Sequence, residues 1–427
     1  MNSTPQKAPV LHKFVRLLQT KEFFDPSTFH QAKRVVADTV GTAYGGVKTE
    51  AFQSAIKSKN DFFGSGEFPV WGRSETSNLL GAVFFNALAI SSTDFDEGHR
   101  KAAGHPASLV VPVALILGEK LGKTYTEMLK AVVIGYEAGT RFSYARYPDK
   151  VDTYSSGRWG AIASAATGAY LLGLNTEEFM HALSLAYVLS PAMQGGSTDV
   201  STGSMSKEGV PWAAQSGLQS ALLAQNEFAG PYLFIDSYDE IDKTKLIADS
   251  NTDWLIQSNY FKPFACCRWL HTAINLVIEL KNDHLLAPEK IETIEVSIFE
   301  RALNLIESKY PESVIQAQFH LPFTMACALL FDKVTPDEVS KKNLGNRSIH
   351  DIIDLIKLAP DERYSKPFPL KLGSKVLVKM KSGEAFSKSA MDAPWDASDP
   401  PSDEALFKKF KDQVGQGAEA IWKKYLQ

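Results

Sequence analysis

Only three cysteines occur in this chain of 427 residues, Cys266, Cys267 and Cys327. Adjacent cysteines seldom bridge one another, so no disulfide framework is implied, and the absence of CxxC spacing argues against a zinc or iron–sulfur site built on thiolates. No uncharged apolar stretch reaches the roughly 18 residues that suggest a membrane span. Net charge is -4, from 45 Lys+Arg against 49 Asp+Glu, which gives no bulk attraction to nucleic acid or an anionic membrane. The G-x-x-x-x-G-K-[ST] spacing of a phosphate loop is missing, as are internal repeats and low-complexity tracts. Met1–Val10 is polar, carries two prolines and lacks an apolar signal core, and is expected to be a disordered lead on a cytosolic protein.

What remains is an ordinary globular composition, 44% hydrophobic and 22% charged, in a chain long enough for two domains or one with a large insertion. Ala-rich, Gly-punctuated segments with helical spacing predict helices over Gln31–Tyr44, Asn78–Ser92, Leu109–Leu121, Tyr125–Arg141, Ala161–Leu172, Thr176–Val188 and Trp212–Gln225. Several are apolar nearly all round and should be buried in a large bundle. After about His284 the character changes. Ile291–Phe299 alternates with a period of two, and Lys375–Met380 and Glu384–Ser387 flank a Ser382-Gly383 turn, so strands are expected. Helices are predicted between them at Val314–Phe331, Thr335–Val339 and Ser348–Lys357. Asp392–Ser402 reads as a Pro/Asp-rich linker leading to a last amphipathic helix, which sends the chain back to the helical body. The expected class is mainly α, a large helical domain with a smaller α/β unit.

Three segments carry unusual polar residues. The first, Asp94 to Pro106, crowds three carboxylates, His99, His105, Arg100 and Lys101 between two very apolar helices. For Glu97, Arg100 and Lys101 a solvated loop explains the charge as well as a site does. Asp94 and His105 lie against the apolar flanks, where burial would perturb both and let them share a proton. Pro106 suits a first helical turn, placing His105 beside free N–H groups that favour an anion. The second segment, Gly195 to Gly209, is either a plain linker or a flexible loop carrying Lys207 into a pocket. The third sets Lys262, Arg268 and His271 among Phe, Trp and Cys, where cations need a partner: a polycarboxylate bound bidentately by Arg268, or an internal acid. His320 alone would more often be structural.

Together these segments resemble the MmgE/PrpD family, which includes 2-methylcitrate dehydratase, cis-aconitate decarboxylase and iminodisuccinate epimerase. The resemblance is carried by VADTVGTAYGG (Val36–Gly46), Asp94-Phe-Asp-Glu running to His105-Pro106, GYEAGTRF (Gly135–Phe142), Lys207, Lys262-Pro-Phe, QFHLPF (Gln318–Phe323) and SDEAL (Ser402–Leu406), in one order along nearly the whole chain. It implies a helical domain of residues 1–266 plus 395–427, an inserted α/β lid of 267–394, a homodimer, and activity with no metal or organic cofactor. By motif position it makes Asp94, His105, Lys207 and Lys262 active-site residues. Two positions depart from the decarboxylase pattern: Tyr154 stands where it has histidine, and Phe323 where it has tyrosine. The Gly98-His99-Arg100 stretch also lengthens the Asp94-to-His105 spacing by one residue, closer to the epimerase-like members.

The expected chemistry is proton transfer at a carbon next to a carboxylate, which needs a poised base and fixed cations for the developing enolate. His105 is assigned as acid/base, Asp94 as its orienting group, Lys207 as a second proton carrier and Tyr154 as a further catalytic candidate. Lys262, Arg268, His99, Arg100, His271 and His320 are the candidates for binding a small polycarboxylate. A dehydratase-like lyase is the leading expectation and an iminodisuccinate-type epimerase the alternative. Decarboxylation of cis-aconitate and an inactive helical scaffold rank behind.

Overall fold

The computed structural model describes residues 9–21, 24–146, 155–189, 205, 207–237, 240–248 and 253–426. Its first part is built from α1 (Val10–Thr20), α2 (Pro26–Gly46), α3 (Leu79–Ser91), α4 (Ala107–Lys120), α5 (Tyr125–Ala145), α6 (Gly157–Leu171), α7 (Thr176–Val188) and α8 (Val210–Gln225). Polar caps set several of the starts. The Asp25 carboxylate accepts from the Thr28 N–H ahead of α2, with Pro26 in the first turn, and Asn78 does the same for α3. Thr124 with Glu127, and Asn175 with Glu178, form reciprocal capping boxes on α5 and α7.

α6 packs against α4, α5, α7 and α8, and small residues let the backbones approach. A Cβ on Gly217 of α8 would lie 2.2 Å from the Ala161 carbonyl oxygen of α6, so only glycine allows this crossing. One hydrophobic core joins these helices and is completed by Leu406, Phe410, Trp422 and Tyr425 from the end of the chain.

A second core gathers residues from Phe264 to Met380. Here α9 (His271–His284) and α10 (Leu321–Phe331) pack together, and α9 also lies on a four-stranded sheet. The strands β1 (Ile291–Ile298), β2 (Ile356–Pro360), β3 (Ser374–Met380) and β4 (Ala385–Ala390) lie in the order β2-β1-β3-β4. β1 pairs with β2 in parallel and with β3 antiparallel, Val296 facing Leu358 and Val376. β1 and β3 alternate buried with half-buried residues, the period-two pattern of a sheet with one face on a core. The chain then returns through α11 (Asp403–Val414), capped by Ser402, and α12 (Ala418–Leu426), both packed on α2.

Mainly α is therefore the observed class, with three local corrections. The predicted Val314–Phe331 helix is two helices, Val314–Phe319 and α10, because Pro322 cannot supply the N–H that would carry one helix through His320. Thr335–Val339 makes only one hydrogen-bonded turn, held by the Glu338 carboxylate on the Thr335 N–H and hydroxyl. Ser348–Lys357 is helical only over Arg347–Ile353 and then enters β2, a strand created by pairing with β1.

Candidate active site

α3 and α4 are joined by residues 92–106, which hold the Asp94 cluster. Asp94 takes a left-handed conformation (φ 48), tolerated by a short polar side chain, and Glu208 does so at φ 55. Asp94 Oδ1 receives Lys207 Nζ and Lys262 Nζ, each at 2.5 Å, and all three residues are buried. Burial opposes the Asp94 charge, but the two ammonium groups and His105 overcome it and hold the carboxyl well below the usual carboxylate range. Burial likewise opposes the Lys207 cation. Asp94, Glu208 and Asp96 outweigh it and keep the ammonium protonated beyond its ordinary range.

His105 sits against this group. Its Nδ1 is 2.8 Å from the Glu97 carbonyl oxygen, so Nδ1–H donates there and the Nε2 lone pair is left for chemistry. Nε2 is 3.6 Å from Asp94 Oδ1 and 3.9 Å from Glu208 Oε1, and Asp96 Oδ2 is 3.4 Å from Nδ1. The His105 amide donates to Ser156 Oγ at 3.0 Å, and Ser156 donates through its own N–H and hydroxyl to Glu208 Oε2 at 3.0 and 2.7 Å. Burial raises the Glu208 carboxyl, but Lys207, His105 and Ser156 bring it below its ordinary value.

The helix start beside His105 is already filled. Glu97 Oε1 accepts the Ala107 N–H at 2.9 Å, while Oε2 accepts Tyr136 OH at 2.7 Å and Asn259 Nδ2 at 3.2 Å. The expected anion site at this N-terminus is thus occupied by an internal carboxyl, one that burial pushes up to about 8. Behind the loop, Lys409 of α11 donates to the Phe95 carbonyl at 2.7 Å and pairs with Asp38 of α2 at 2.6 Å.

A cavity of about 590 Å³ opens in front of the cluster. Asp94, His105, Glu208 and Tyr260 border it on one side; Trp269, Glu300, Arg301, Asn304, Phe319 and Phe368 border it from the second core's part of the chain. Gly98 makes room for Tyr260, since a Cβ there would lie 2.3 Å from the phenol oxygen. Burial raises the Tyr260 hydroxyl well above the ordinary phenol value, which keeps it protonated and makes it a weaker acid than a free phenol.

Asp94, Asp96 and His105 bring donor atoms within 4.8 Å of one another, the one such grouping among the described residues. A divalent ion on Asp94 would meet the Lys207 and Lys262 ammonium groups already seated on Oδ1, so the donor set suits protons better than a metal.

Residues 11–240 match the MmgE/PrpD N-terminal domain, and residues 264–420 match the MmgE/PrpD C-terminal domain. The chain belongs to the MmgE/PrpD family. Among curated relatives in the family, it is 21% identical over 424 residues to the cis-aconitate decarboxylase of Aspergillus terreus, covering 90% of this chain and 84% of that protein. It is 24% identical over 402 residues to the cis-aconitate decarboxylase of Homo sapiens, covering 89% and 82%. A cis-aconitate decarboxylase-like protein of Aspergillus oryzae is 21% identical over 417 residues, covering 89% and 85%. No helix of the described residues is long and apolar enough to cross a membrane.

Of the residues expected at an MmgE/PrpD site, the structure gathers Asp94, His105, Lys207 and Lys262, with the lysines buried behind Asp94 and off the cavity wall. Tyr154 lies outside the described residues. Arg100 and Arg268 border the cavity but are also engaged by Asp392–Asp396. Arg100 pairs with Asp392 at 2.6 Å and Asp396 at 2.7 Å, and Arg268 donates to the Pro394 carbonyl at 2.7 Å and stacks 4.8 Å from the Tyr260 ring. The supposed linker is therefore a strap fastened to both arginines, and the internal acid that sequence left open for Arg268 is Asp396, at 3.4 Å. Arg268 Nε is buried without a hydrogen-bond partner among the described residues.

The other three histidines are spent on structure. His99 borders the cavity, yet its Nδ1 accepts the Lys101 N–H at 3.1 Å, Nε2 faces Ser258 Oγ at 3.3 Å, and burial pushes the ring down to about 3, so it is neutral and binds no carboxylate as a cation. His271 is wholly buried between Arg268 and the Cys266 carbonyl, and His320 caps α10 by accepting the Phe323 N–H. Neither is among the residues bordering the cavity. Sequence reading missed Asp96, Ser156, Glu208 and Tyr260 and left Glu97 undecided; Glu208 follows Lys207 directly and Tyr260 stands two residues before Lys262, which were the available signals.

Proposed function

We propose that the protein is a lyase of the 2-methylcitrate dehydratase type, acting on a small di- or tricarboxylate by proton transfer at a carbon next to a carboxylate. The observation that carries this is a histidine with a free Nε2 beside the Lys207–Asp94–Lys262 group, at the wall of a cavity sized for a small molecule. His105 removes the proton from the carbon. Asp94, Asp96 and Glu208 stabilise the positive charge the ring acquires. The imidazolium so formed passes its proton to the departing hydroxyl, which leaves as water, while the protonated Tyr260 hydroxyl at the cavity wall can hydrogen-bond to that group. Lys207 and Lys262 act by charge, with Lys207 held too firmly as a cation to be the second proton carrier. Arg268 and Arg100, which border the cavity, hold the substrate carboxylates. In this reading residues 267–394 form a lid over a helical domain of 1–266 plus 395–427, and the working unit is a homodimer.

Epimerisation of an iminodisuccinate-type dicarboxylate is the second reading. Its support is His105 and the protonated Tyr260 hydroxyl, two proton-bearing groups from separate segments that border one cavity. Decarboxylation, the activity in the relatives' names, ranks behind both because this chain has Tyr154 and Phe323 where the decarboxylase pattern has histidine and tyrosine.

NMR in D2O with 2-methylcitrate, citrate, cis-aconitate and iminodisuccinate in turn tests these readings. Alkene formed from a hydroxy acid is the expected result. Deuterium incorporation with inversion and no alkene favours the epimerase, and no turnover of any of the four by a folded dimer sinks the enzyme reading.

A further inference from the structure

Glu97 has three bonded oxygens and, among the described residues, no ion-pair partner, an arrangement beyond what a helix cap requires. Its carboxyl is tied at Ala107 N, Tyr136 OH and Asn259 Nδ2, and its main-chain carbonyl is the acceptor for His105 Nδ1–H. The N–H of that same peptide group, on Gly98, donates to the Tyr260 carbonyl at 3.0 Å. The peptide is thus pinned at both ends, and each bond polarises the other.

The tie to Asn259 continues outward. Gln31 Nε2 donates to Asn259 Oδ1, and Arg34 donates to Gln31 Oε1 at 3.0 Å. Arg34 in turn pairs with Asp403 at the start of α11 at 2.9 Å and donates to the Pro401 carbonyl. Amide oxygen and nitrogen are interchangeable in many sites, but not in this one. A guanidinium has donors only, so Gln31 must present its oxygen to Arg34 and its nitrogen to Asn259, which fixes Asn259 in turn. The relay therefore has one direction, Arg34 to Gln31 to Asn259 to Glu97. Tyr136, whose hydroxyl can accept as well as donate, lets the seat serve Glu97 with or without its proton.

We propose that Glu97 is a positioning residue that holds His105 as the Nδ1–H tautomer with Nε2 toward the cavity, and that the Arg34–Gln31–Asn259 relay keeps Glu97 in that place from the start of α11. The proposal rests on the His105 chemistry given above, but its decisive readout needs no substrate. In Glu97→Gln the new amide turns a donor toward Asn259 Nδ2 and Tyr136 OH, or else toward the Ala107 N–H, so one bond of the seat is lost in either orientation.

The test is 15N NMR of histidine-labelled protein, with the His105 signal assigned by its loss in His105→Gln. Wild type should show a single Nδ1–H tautomer. Glu97→Gln should show a mixture, and Gln31→Leu a smaller change in the same direction. Where a substrate turns over, Glu97→Gln should lower kcat on the order of tenfold to a hundredfold with KM within about twofold. A folded Glu97→Gln that keeps one Nδ1–H tautomer overturns the proposal, whether or not any carboxylate is turned over. If that variant does not fold, Tyr136→Phe removes one donor at Oε2 and decides by the same signal.

Discussion

His105 and His320 stand at proline-led helix starts, one immediately before Pro106 and the other two residues before Pro322, and they are used in opposite ways. At α10 the histidine is its own cap: Nδ1 accepts the Phe323 N–H at 3.1 Å, Nε2 reaches the Ser308 carbonyl at 2.9 Å, and nothing is left over. At α4 the capping is done from a distance by Glu97, whose carboxyl takes the Ala107 N–H while its carbonyl takes His105 Nδ1. The imidazole so relieved faces the cavity with Nε2. A histidine at a helix start becomes available for chemistry when another side chain satisfies the backbone in its place.

The sharpest break of this comparison is to delete each ring. His105→Gln should lower turnover by about 10²–10⁴-fold, the range expected for losing a general acid/base, with circular dichroism unchanged. A loss under tenfold would mean that the relieved histidine is not the proton carrier. Asp94→Asn comes next, because it leaves the Lys207 and Lys262 ammonium groups buried without their partner. It should cost about 3–5 kcal/mol in urea unfolding. A cost below about 1 kcal/mol would show that the group behind His105 is held by something other than that ion pair.

His99, another spent histidine, gives a pH signature. It titrates near 6.5 when unfolded and at about 3 when folded, because burial disfavours its cation. Between those values the unfolded chain binds more protons, so this ring makes stability fall as pH drops through the window, by up to about 1.4 kcal/mol per pH unit. His99→Gln should flatten that limb relative to wild type in urea titrations from pH 4 to 7, and identical slopes would show that His99 is not buried neutral. The smallest effect belongs to the other half of the pair. His320→Ala should cost about 1 kcal/mol as a lost cap and leave kcat within about threefold, since its ring does not border the cavity. A larger fall in kcat than in stability would return His320 to the site.

The long helices were legible because apolar residues at helical spacing face a core whatever the rest of the chain does; Thr176–Val188 agrees to the residue. β2 was not, since Ile356–Pro360 is a strand only by pairing with β1 more than fifty residues earlier. The same division runs through the site. Asp94, His105 and Lys262 stood out as charges in apolar surroundings and Lys207 as a cation in a Gly/Ser/Thr stretch, and the fold buries all four together. Glu97 could not be told from a solvated loop residue, because its partners Tyr136 and Asn259 are 39 and 162 residues away. The partners of Arg268 in Asp392–Asp396 were equally invisible, more than a hundred residues downstream.

Lys409 links the loop that carries Asp94 to a helix translated much later. Its ammonium holds the Phe95 carbonyl across a separation of 314 residues and also neutralises Asp38, whose buried carboxyl has no other ion-pair partner among the described residues. At roughly 5–20 residues per second, a ribosome takes about 15–60 s to cover that distance. Through that interval the Asp94 loop and Asp38 are present without the cation that completes them, so the nascent helical body is synthesised long before that loop can be seated.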